Sequence, residues 1–372
     1  MRNQLSVCYL TFDSLLEGVG QSQIVPLLKG LNKSGFKIFV ISFEKNLNRD
    51  VNPFLHHPEV IWKQLPFGMR GFAGLPLRII RMAISLPKAD IYHSRSDLPV
   101  LALALQRKKR FLWDVRSLWY EQKALIENRK RSGFSYSVFR KIEKYAAKRA
   151  SAINVLASAL LPVLIKRNNM LPEIQIVVPT SVDLKKFEFI ENFPEQKMIL
   201  LSGSLNKFYD MNRTLEILDF LNARGFKVRW MRPKESLRNE IKRTFIEIET
   251  ASYEAMSTQV SLSSFGIAIC RDDETEVLKG VMPTKIAEFL AVGRPVLVSP
   301  GMGDLDSLIQ STKTGVIVSR DMELKEIYDR VNELIEDKGT PERCRKLAEN
   351  HFSMENAIKT YKETYLNMLA ED

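Results

Sequence analysis

Met282–Pro300, MPTKIAEFLAVGRPVLVSP, is the stretch on which the fold turns. Pro283 suits the first turn of a helix, because its φ is already helical and its missing N–H is not needed there. Ile286, Phe289 and Leu290 fall at i, i+3 and i+4 and make one apolar stripe. Gly293 stands where a helix stops in the left-handed region, with Arg294 just beyond. Pro295 opens Val296-Leu297-Val298, a β-branched run that reads as a buried parallel strand. A helix start, a helix, a stop and a core strand thus fit into under twenty residues. Unpaired N–H groups and a partial positive charge at the start of such a helix suit a phosphate. Lys285 adds a cation on the first turn. Glu288, one turn on, offers a carboxylate to a pair of hydroxyls. A diphosphate beside a ribose matches that set, with Pro283, Thr284, Lys285 and Glu288 as its contacts.

The same alternation extends to both sides. Leu5–Thr11 reads as a strand. A loop with Glu17-Gly18-Val19-Gly20-Gln21 follows, then a helix capped by Ser22 with Ile24, Leu27, Leu28 and Leu31 on one face. Gly35 ends it, and Phe36–Phe43 is a second strand. This βαβ unit, with Glu44 after its second strand, invites a dinucleotide-binding reading. Gln23 occupies the third glycine position of that fingerprint and the first turn is too long, so the fingerprint fails. Glycines in the loop still let backbone approach a ligand. Further strands at Ala89–His93 and Phe111–Arg116 end in ionisable residues. Parallel α/β sheets place ligands at such strand ends. His93, Arg95, Asp114, Arg116 and Glu121 are therefore expected to cluster. Pro66–Leu86 reads as a loop and an amphipathic helix, and Phe139–Ala150 as a basic one. After Ile174–Pro179 a new strand, Gln196–Gly203, restarts the pattern. Pro233–Thr250 reads as a charged helix, Phe265–Cys270 as a strand, and Met354–Leu369 as the final helix.

Composition bounds the rest. A chain of 372 residues accommodates two ordinary domains. No apolar run reaches the eighteen or so residues of a spanning helix. The N-terminus lacks the pattern of a signal peptide, so a cytoplasmic protein is expected. Cys8, Cys270 and Cys344 are too far apart in sequence to suggest a disulfide framework or a zinc site. Charge is uneven: residues 1–180 hold 28 Lys+Arg against 12 Asp+Glu, and the remainder 27 against 32. A basic first half favours anionic partners. The basic clusters lack the interleaved aromatics of a single-strand platform, which argues against nucleic acid. An anionic membrane face or an anionic acceptor fits that charge.

The string Pro283–Leu297 resembles the donor segment of retaining glycosyltransferases of the GT-B fold, in their family 4 (glycosyl transferases group 1 type), where P-x-K-x-x-E-[FY]-x-A-x-G-x-P-V is common. D-I-Y-H-S-R-S at 90–96 and D-V-R-S-L-W-Y-E at 114–121 are similar to stretches of the acceptor wall in some members, with Arg95 in place of a second His. Thr180-Ser181-Val182-Asp183 and Phe187 resemble the family's interdomain connection. The resemblance implies α/β architecture with two doubly wound Rossmann-like domains facing across a cleft. Residues 1–183 would hold the acceptor side, 184–350 the nucleotide-sugar donor, and 351–372 a helix returning to the first domain. It implies a nucleotide-sugar donor, a glycan or lipid-linked hydroxyl acceptor, retention of configuration, and neither metal nor cofactor. Glu288 would hold the ribose. Lys285, Gly203, Ser204 and Lys207 would hold the diphosphate, with Gly20 and Gln21 approaching from the first domain. His93, Arg95, Asp114 and Arg116 would be catalytic, and Glu121 would lie on the acceptor side. Gly280 stands where members usually carry the first Glu of a pair, which points to altered contacts with the donor sugar. The competing expectations are an NAD(P)-dependent or sugar-nucleotide-modifying enzyme and a non-catalytic basic binding module. A peripheral position on the inner membrane face accords with the transferase reading.

Overall fold

The computed structural model describes residues 4–47, 51–69, 71, 73–127, 131–203, 208–232, 243–250, 252–271 and 275–370. Its contacts divide the chain into two compact units. One comprises Met1–Glu121, Lys130–Pro179 and Met354–Asp372, and the other Gln122–Arg129 and Thr180–Ser353.

The first unit runs β1 (Ser6–Leu10), α1 (Val25–Lys33), β2 (Lys37–Glu44), β3 (Val60–Pro66), α2 (Leu75–Ile84), β4 (Ile91–Arg95), α3 (Leu98–Leu105), β5 (Phe111–Val115), α4 (Trp119–Glu127, shared at its end with the second unit), α5 (Phe134–Arg149), β6 (Ala152–Val155), α6 (Leu161–Asn168) and β7 (Ile174–Val177). Its seven strands form one sheet in the order β3-β2-β1-β4-β5-β6-β7. Every neighbouring pair is parallel. Both faces are covered, which is why β1, β4 and β5 are buried at nearly every position, with β1 and β5 mostly apolar and β4 ending in the buried polar His93-Ser94-Arg95.

In the second unit the order is β8 (Met198–Ser202), α7 (Met211–Asn222), β9 (Lys227–Met231), β10 (Ile246–Glu249), α8 (Met256–Ser261), β11 (Phe265–Ala268), α9 (Thr275–Leu278), α10 (Thr284–Val292), β12 (Val296–Val298), α11 (Leu305–Thr312), β13 (Gly315–Ile317), α12 (Leu324–Glu336) and α13 (Thr340–Leu347). The sheet order is β10-β9-β8-β11-β12-β13, again all parallel. The last helix, α14 (Met354–Ala370), belongs to the first unit. There Tyr361, Tyr365 and Met368 join Leu28, Leu31 and Phe36 in one core. Both sheets reverse direction of growth once, at β1/β4 and at β8/β11. Doubly wound sheets bind ligands outside the strand ends at such switch points.

Two local expectations are corrected. Ser22 does not cap α1: a π-helical turn, Gly20–Ile24, precedes that helix, and the Ser22 hydroxyl donates back to the Gly18 carbonyl at 3.1 Å. Nor does the expected helix over Pro233–Thr250 continue through its described end, where β10 lies beside β9. The Ile-Glu-Ile-Glu alternation has the period of a strand, and Arg229 on β9 binds Glu247 across the pair at 3.0 Å. Residues 233–242 lie outside the described residues.

Helix α10 sits against β11 because Gly266 has no side chain. A Cβ there would meet the Phe289 ring at 2.2 Å, and Phe289 is fully buried. Gly266→Ala is therefore expected to cost about 1–3 kcal/mol, read as a lowered denaturant midpoint with an unchanged slope. Full stability in that variant would mean that α10 is not wedged on the sheet at this point.

Candidate active site

In the second unit the β11-to-β12 crossover carries α10, whose first turn stands beside the β8/β11 switch point. Pro283 caps it in extended backbone, and Gly293 ends it at φ 91°. The N–H of Ile286 already bonds the Pro283 carbonyl, leaving those of Thr284 and Lys285 without intrahelical acceptors. Thr180 fixes the entry, donating from its hydroxyl to the Met282 carbonyl at 2.8 Å.

Lys285 and Glu288 are the chemical centre of this turn. Nζ of Lys285 is buried without a hydrogen-bond partner among the described residues. It lies over the Tyr209 ring, 4.6 Å from the centroid. Tyr209 is held there by a bridge to Cys270 and by the Asp210 N–H to Ile269 carbonyl bond. Burial pulls the Lys285 ammonium down to about 8, while Cys270 and Glu288 pull the other way. Burial pushes the Glu288 carboxyl up to about 7, opposed by Lys285 and Lys186. Lys186 packs on the Tyr253 ring at 3.2 Å, and burial lowers its own pKa. Among the described residues the Glu288 carboxylate has no hydrogen-bond donor. A buried cation and a buried carboxylate, each without a hydrogen bond among the described residues, lie one helical turn apart. Such groups are costly to keep unless a ligand uses them.

Gly203 ends β8 at φ 85°, with its carbonyl bonded by the Trp230 indole at 3.0 Å. Ser204 and Lys207 lie outside the described residues. Gly280, at the position of the missing carboxylate, is buried and bonds the Val277 carbonyl.

In the first unit the ends of β4 and β5 bring His93, Arg95, Asp114 and Arg116 together. Asp114 Oδ1 accepts from Asn154 Nδ2 at 2.7 Å and Arg116 Nη1 at 3.4 Å. Its Oδ2 faces His93 Nε2 at 3.2 Å and Arg95 Nη1 at 3.8 Å. Burial alone would raise the Asp114 carboxyl. Arg116, His93 and Arg95 outweigh it and hold the group well below the usual carboxylate range. Burial keeps His93 neutral, against the pull of Asp114. An ionised Asp114 accepts, so Nε2–H donates to it, and Nδ1 accepts a hydrogen bond from the Tyr365 hydroxyl at 2.6 Å. The Tyr361 hydroxyl accepts from Asn154 at 3.0 Å. His93 is therefore fully buried with both nitrogens engaged, largely by α14 and Asp114. Arg95 is buried and bonded to the exposed Asp13 at 3.0 Å, while Arg116 keeps some exposed surface.

Glu121 joins a second network, bound by Arg167, which also holds Glu143. Gly20 is packed so tightly that a Cβ would meet the Ser14 carbonyl at 1.9 Å, and Gln21 is half-buried on the next position. Glu44 binds the Leu15 N–H and the hydroxyls of Ser14 and Ser42, shaping the loop after β1. This occupation leaves it no role at a ribose. Tyr209, Lys186 and Tyr253 escaped the sequence reading, as did the pairing of Asn154, Tyr361 and Tyr365 with the β4/β5 cluster. A signal existed only for the tyrosines, four apart on one helical face.

Two doubly wound parallel sheets in one chain, with a cationic helix start at the second switch point and a terminal helix packed in the first unit, define a GT-B architecture. No protein-family model matches the chain, and no curated protein matches it in sequence. Solved structures share its fold over nearly full length. Sucrose-phosphate synthase from Thermosynechococcus elongatus superposes with TM-score 0.71 at 13% identity, covering 99% of this chain and 100% of that one. Anabaena HepE in complex with UDP and glucose gives 0.71 at 12%, covering 97% and 99%. WaaG, a glycosyltransferase involved in lipopolysaccharide biosynthesis, gives 0.65 at 14%, covering 96% and 99%. The chain has the GT-B fold. No helix among the described residues is long and apolar enough to cross a membrane.

Proposed function

We propose that the protein is a retaining glycosyltransferase that moves a sugar from a nucleotide-sugar donor to a hydroxyl acceptor in glycan, polysaccharide or glycolipid synthesis. The observation that carries this reading is the pair of buried groups without hydrogen bonds among the described residues, Lys285 and Glu288, on the first turns of α10. A nucleotide diphosphate satisfies both: its phosphates take the Lys285 ammonium and the free N–H groups, and its ribose hydroxyls donate to Glu288. HepE, of the same fold, was solved with UDP-glucose.

The demanding step is departure of the nucleotide diphosphate. Negative charge grows on its oxygens as the sugar–oxygen bond breaks. Lys285 and the helix dipole stabilise that charge in a site with little water, and they do so without a metal or further cofactor. Retention of configuration rests on the resemblance of the Pro283–Val296 pattern. Gly280 contributes no carboxylate, so the donor sugar is held by other groups. In the first unit Arg95 and Arg116 take the acceptor role at the ends of β4 and β5, where Arg116 keeps some exposed surface and Arg95 reaches the exposed Asp13. His93 and Asp114 position them. A dinucleotide enzyme is disfavoured by the occupied Glu44.

Glu288→Ala tests the ribose contact. Loss of a doubly accepting carboxylate is expected to weaken nucleotide diphosphate binding about 10- to 100-fold, measured by calorimetry against a panel of nucleotides. Unchanged binding and turnover would refute the assignment. Thermal shifts across the same panel identify the base, since a ligand of the native state raises its stability.

A further inference from the structure

Helices α2, α3, α5 and α6 share one core on one side of the first sheet, with Met82, Leu103, Ala146 and Leu164 turned inward. Their outward residues therefore lie on one side of that unit. The composition of that surface is unusual. On α2 the inner stripe is Ile79, Met82 and Ala83, yet Leu77, Ile80 and Ile84 are exposed as well, Ile84 at 74%. On α5 the outward stripe starts with Phe134, 86% exposed, and Val138, then continues as Lys141, Lys144 and Lys148. None of these three lysines has an ion-pair partner among the described residues. The one carboxylate on the four helices is Glu143, which is buried and bound by Arg140 and Arg167.

We propose that this face lies on an anionic lipid surface, with Ile80, Ile84 and Phe134 entering the headgroup region and the α5 lysines against lipid phosphates. The apolar side chains gain by leaving water, and the cations gain from the negative potential of the leaflet. Two other occupants fit less well. A second copy of the chain would set the lysines of α5 against a like-charged face. A single-stranded nucleic acid requires a row of aromatic rings, where this face offers aliphatic chains and Phe134. The inference does not depend on the nucleotide site of the second unit.

Cosedimentation of the full chain with phosphatidylcholine vesicles, with and without phosphatidylglycerol, tests it. Binding is expected only with the anionic lipid, and it weakens at high salt. Ile80→Ser/Ile84→Ser and Lys141→Glu/Lys144→Glu/Lys148→Glu are each expected to lower partitioning about tenfold or more. All these residues are exposed, and circular dichroism with thermal unfolding in solution checks that both variants keep their fold. Cys8, Cys270 and Cys344 are buried, so an environment-sensitive dye on Ile84→Cys reports that site. Its emission is expected to shift to the blue on anionic vesicles alone.

Equal binding to neutral and anionic vesicles, or none to either, overturns the proposal. So does wild-type partitioning of the isoleucine variant with a dye that stays in water, which would mean electrostatic adsorption only. A solution dimer that Ile80→Ser/Ile84→Ser dissociates would assign the face to a second copy. Vesicle binding without any nucleotide binding would count against the transferase reading and leave this one standing.

Discussion

Lys285→Met is expected to abolish nucleotide diphosphate binding while making the free protein more stable. The two effects have one cause. Nζ of Lys285 is buried without a hydrogen bond among the described residues, with the Tyr209 ring beneath it and the Glu288 carboxylate acting on it. Holding it charged at neutral pH costs up to about 3 kcal/mol, the equivalent of moving an ammonium from 10.5 to about 8. Methionine fills similar space without the charge and recovers part of that cost. A bound diphosphate, in contrast, loses its principal cation, and transfer is expected to fall about a thousandfold.

The pH dependence of the free protein checks the premise independently. The Lys285 pKa is depressed on folding. Its contribution is present above about 10.5 and is lost as pH falls through about 8. The Glu288 pKa is raised on folding. Its contribution is present below about 4.5 and is lost as pH rises through about 7. Together they put a local minimum of stability between pH 7 and 8. Urea midpoints across pH are expected to show that minimum in the wild type. They are expected to show it weakened in Lys285→Met and filled in by a saturating nucleotide diphosphate. A flat wild-type profile, or a less stable Lys285→Met, would remove the case for a charge held ready for a ligand.

Asp114→Ala is the second large effect, and it acts on stability. Asp114 is the carboxylate on which Arg95, Arg116, His93 and Asn154 converge. Removing it leaves the Arg116 guanidinium, the His93 imidazole and the Asn154 amide without their shared acceptor, and Arg95 with only the exposed Asp13 as counter-charge. The expected cost is about 3–5 kcal/mol. It should also loosen α14, whose Tyr365 is tied to His93. Hydrogen exchange is expected to rise first along α14 and around β4 and β5. Because the Asp114 pKa is depressed on folding, its contribution holds above the ordinary carboxylate range and is lost as pH falls below it. Acid unfolding of the variant should accordingly be less steep than that of the wild type. Wild-type stability in Asp114→Ala would mean that the cluster does not organise the first unit.

Several features were legible in the chain without coordinates. Pro283, the apolar stripe of Ile286, Phe289 and Leu290, and Gly293 specify α10 through local rules of φ, period and capping. Helical period alone also puts Lys285 and Glu288 close together on its first turns. The repeated change between strand and helix periods established α/β architecture. Local rules were less decisive where two periods compete, and residues 246–249 are the example. Their charged composition suits a helix, but alternation and the partner Arg229 make them a strand.

Other features required the folded chain. Nothing near Lys285 in sequence announces that Tyr209 and Cys270 close beneath it, or that Lys186 and Tyr253 stand beside Glu288. Likewise His93 meets Tyr365 across 272 positions, which ties the buried imidazole of the sheet to the last helix. The reason is physical. Backbone geometry and period act over a few residues, so sequence specifies which elements form and which side chains share a turn. Burial, and with it the protonation and availability of each charge, depends on residues brought together from distant segments, and that only the packed structure decides.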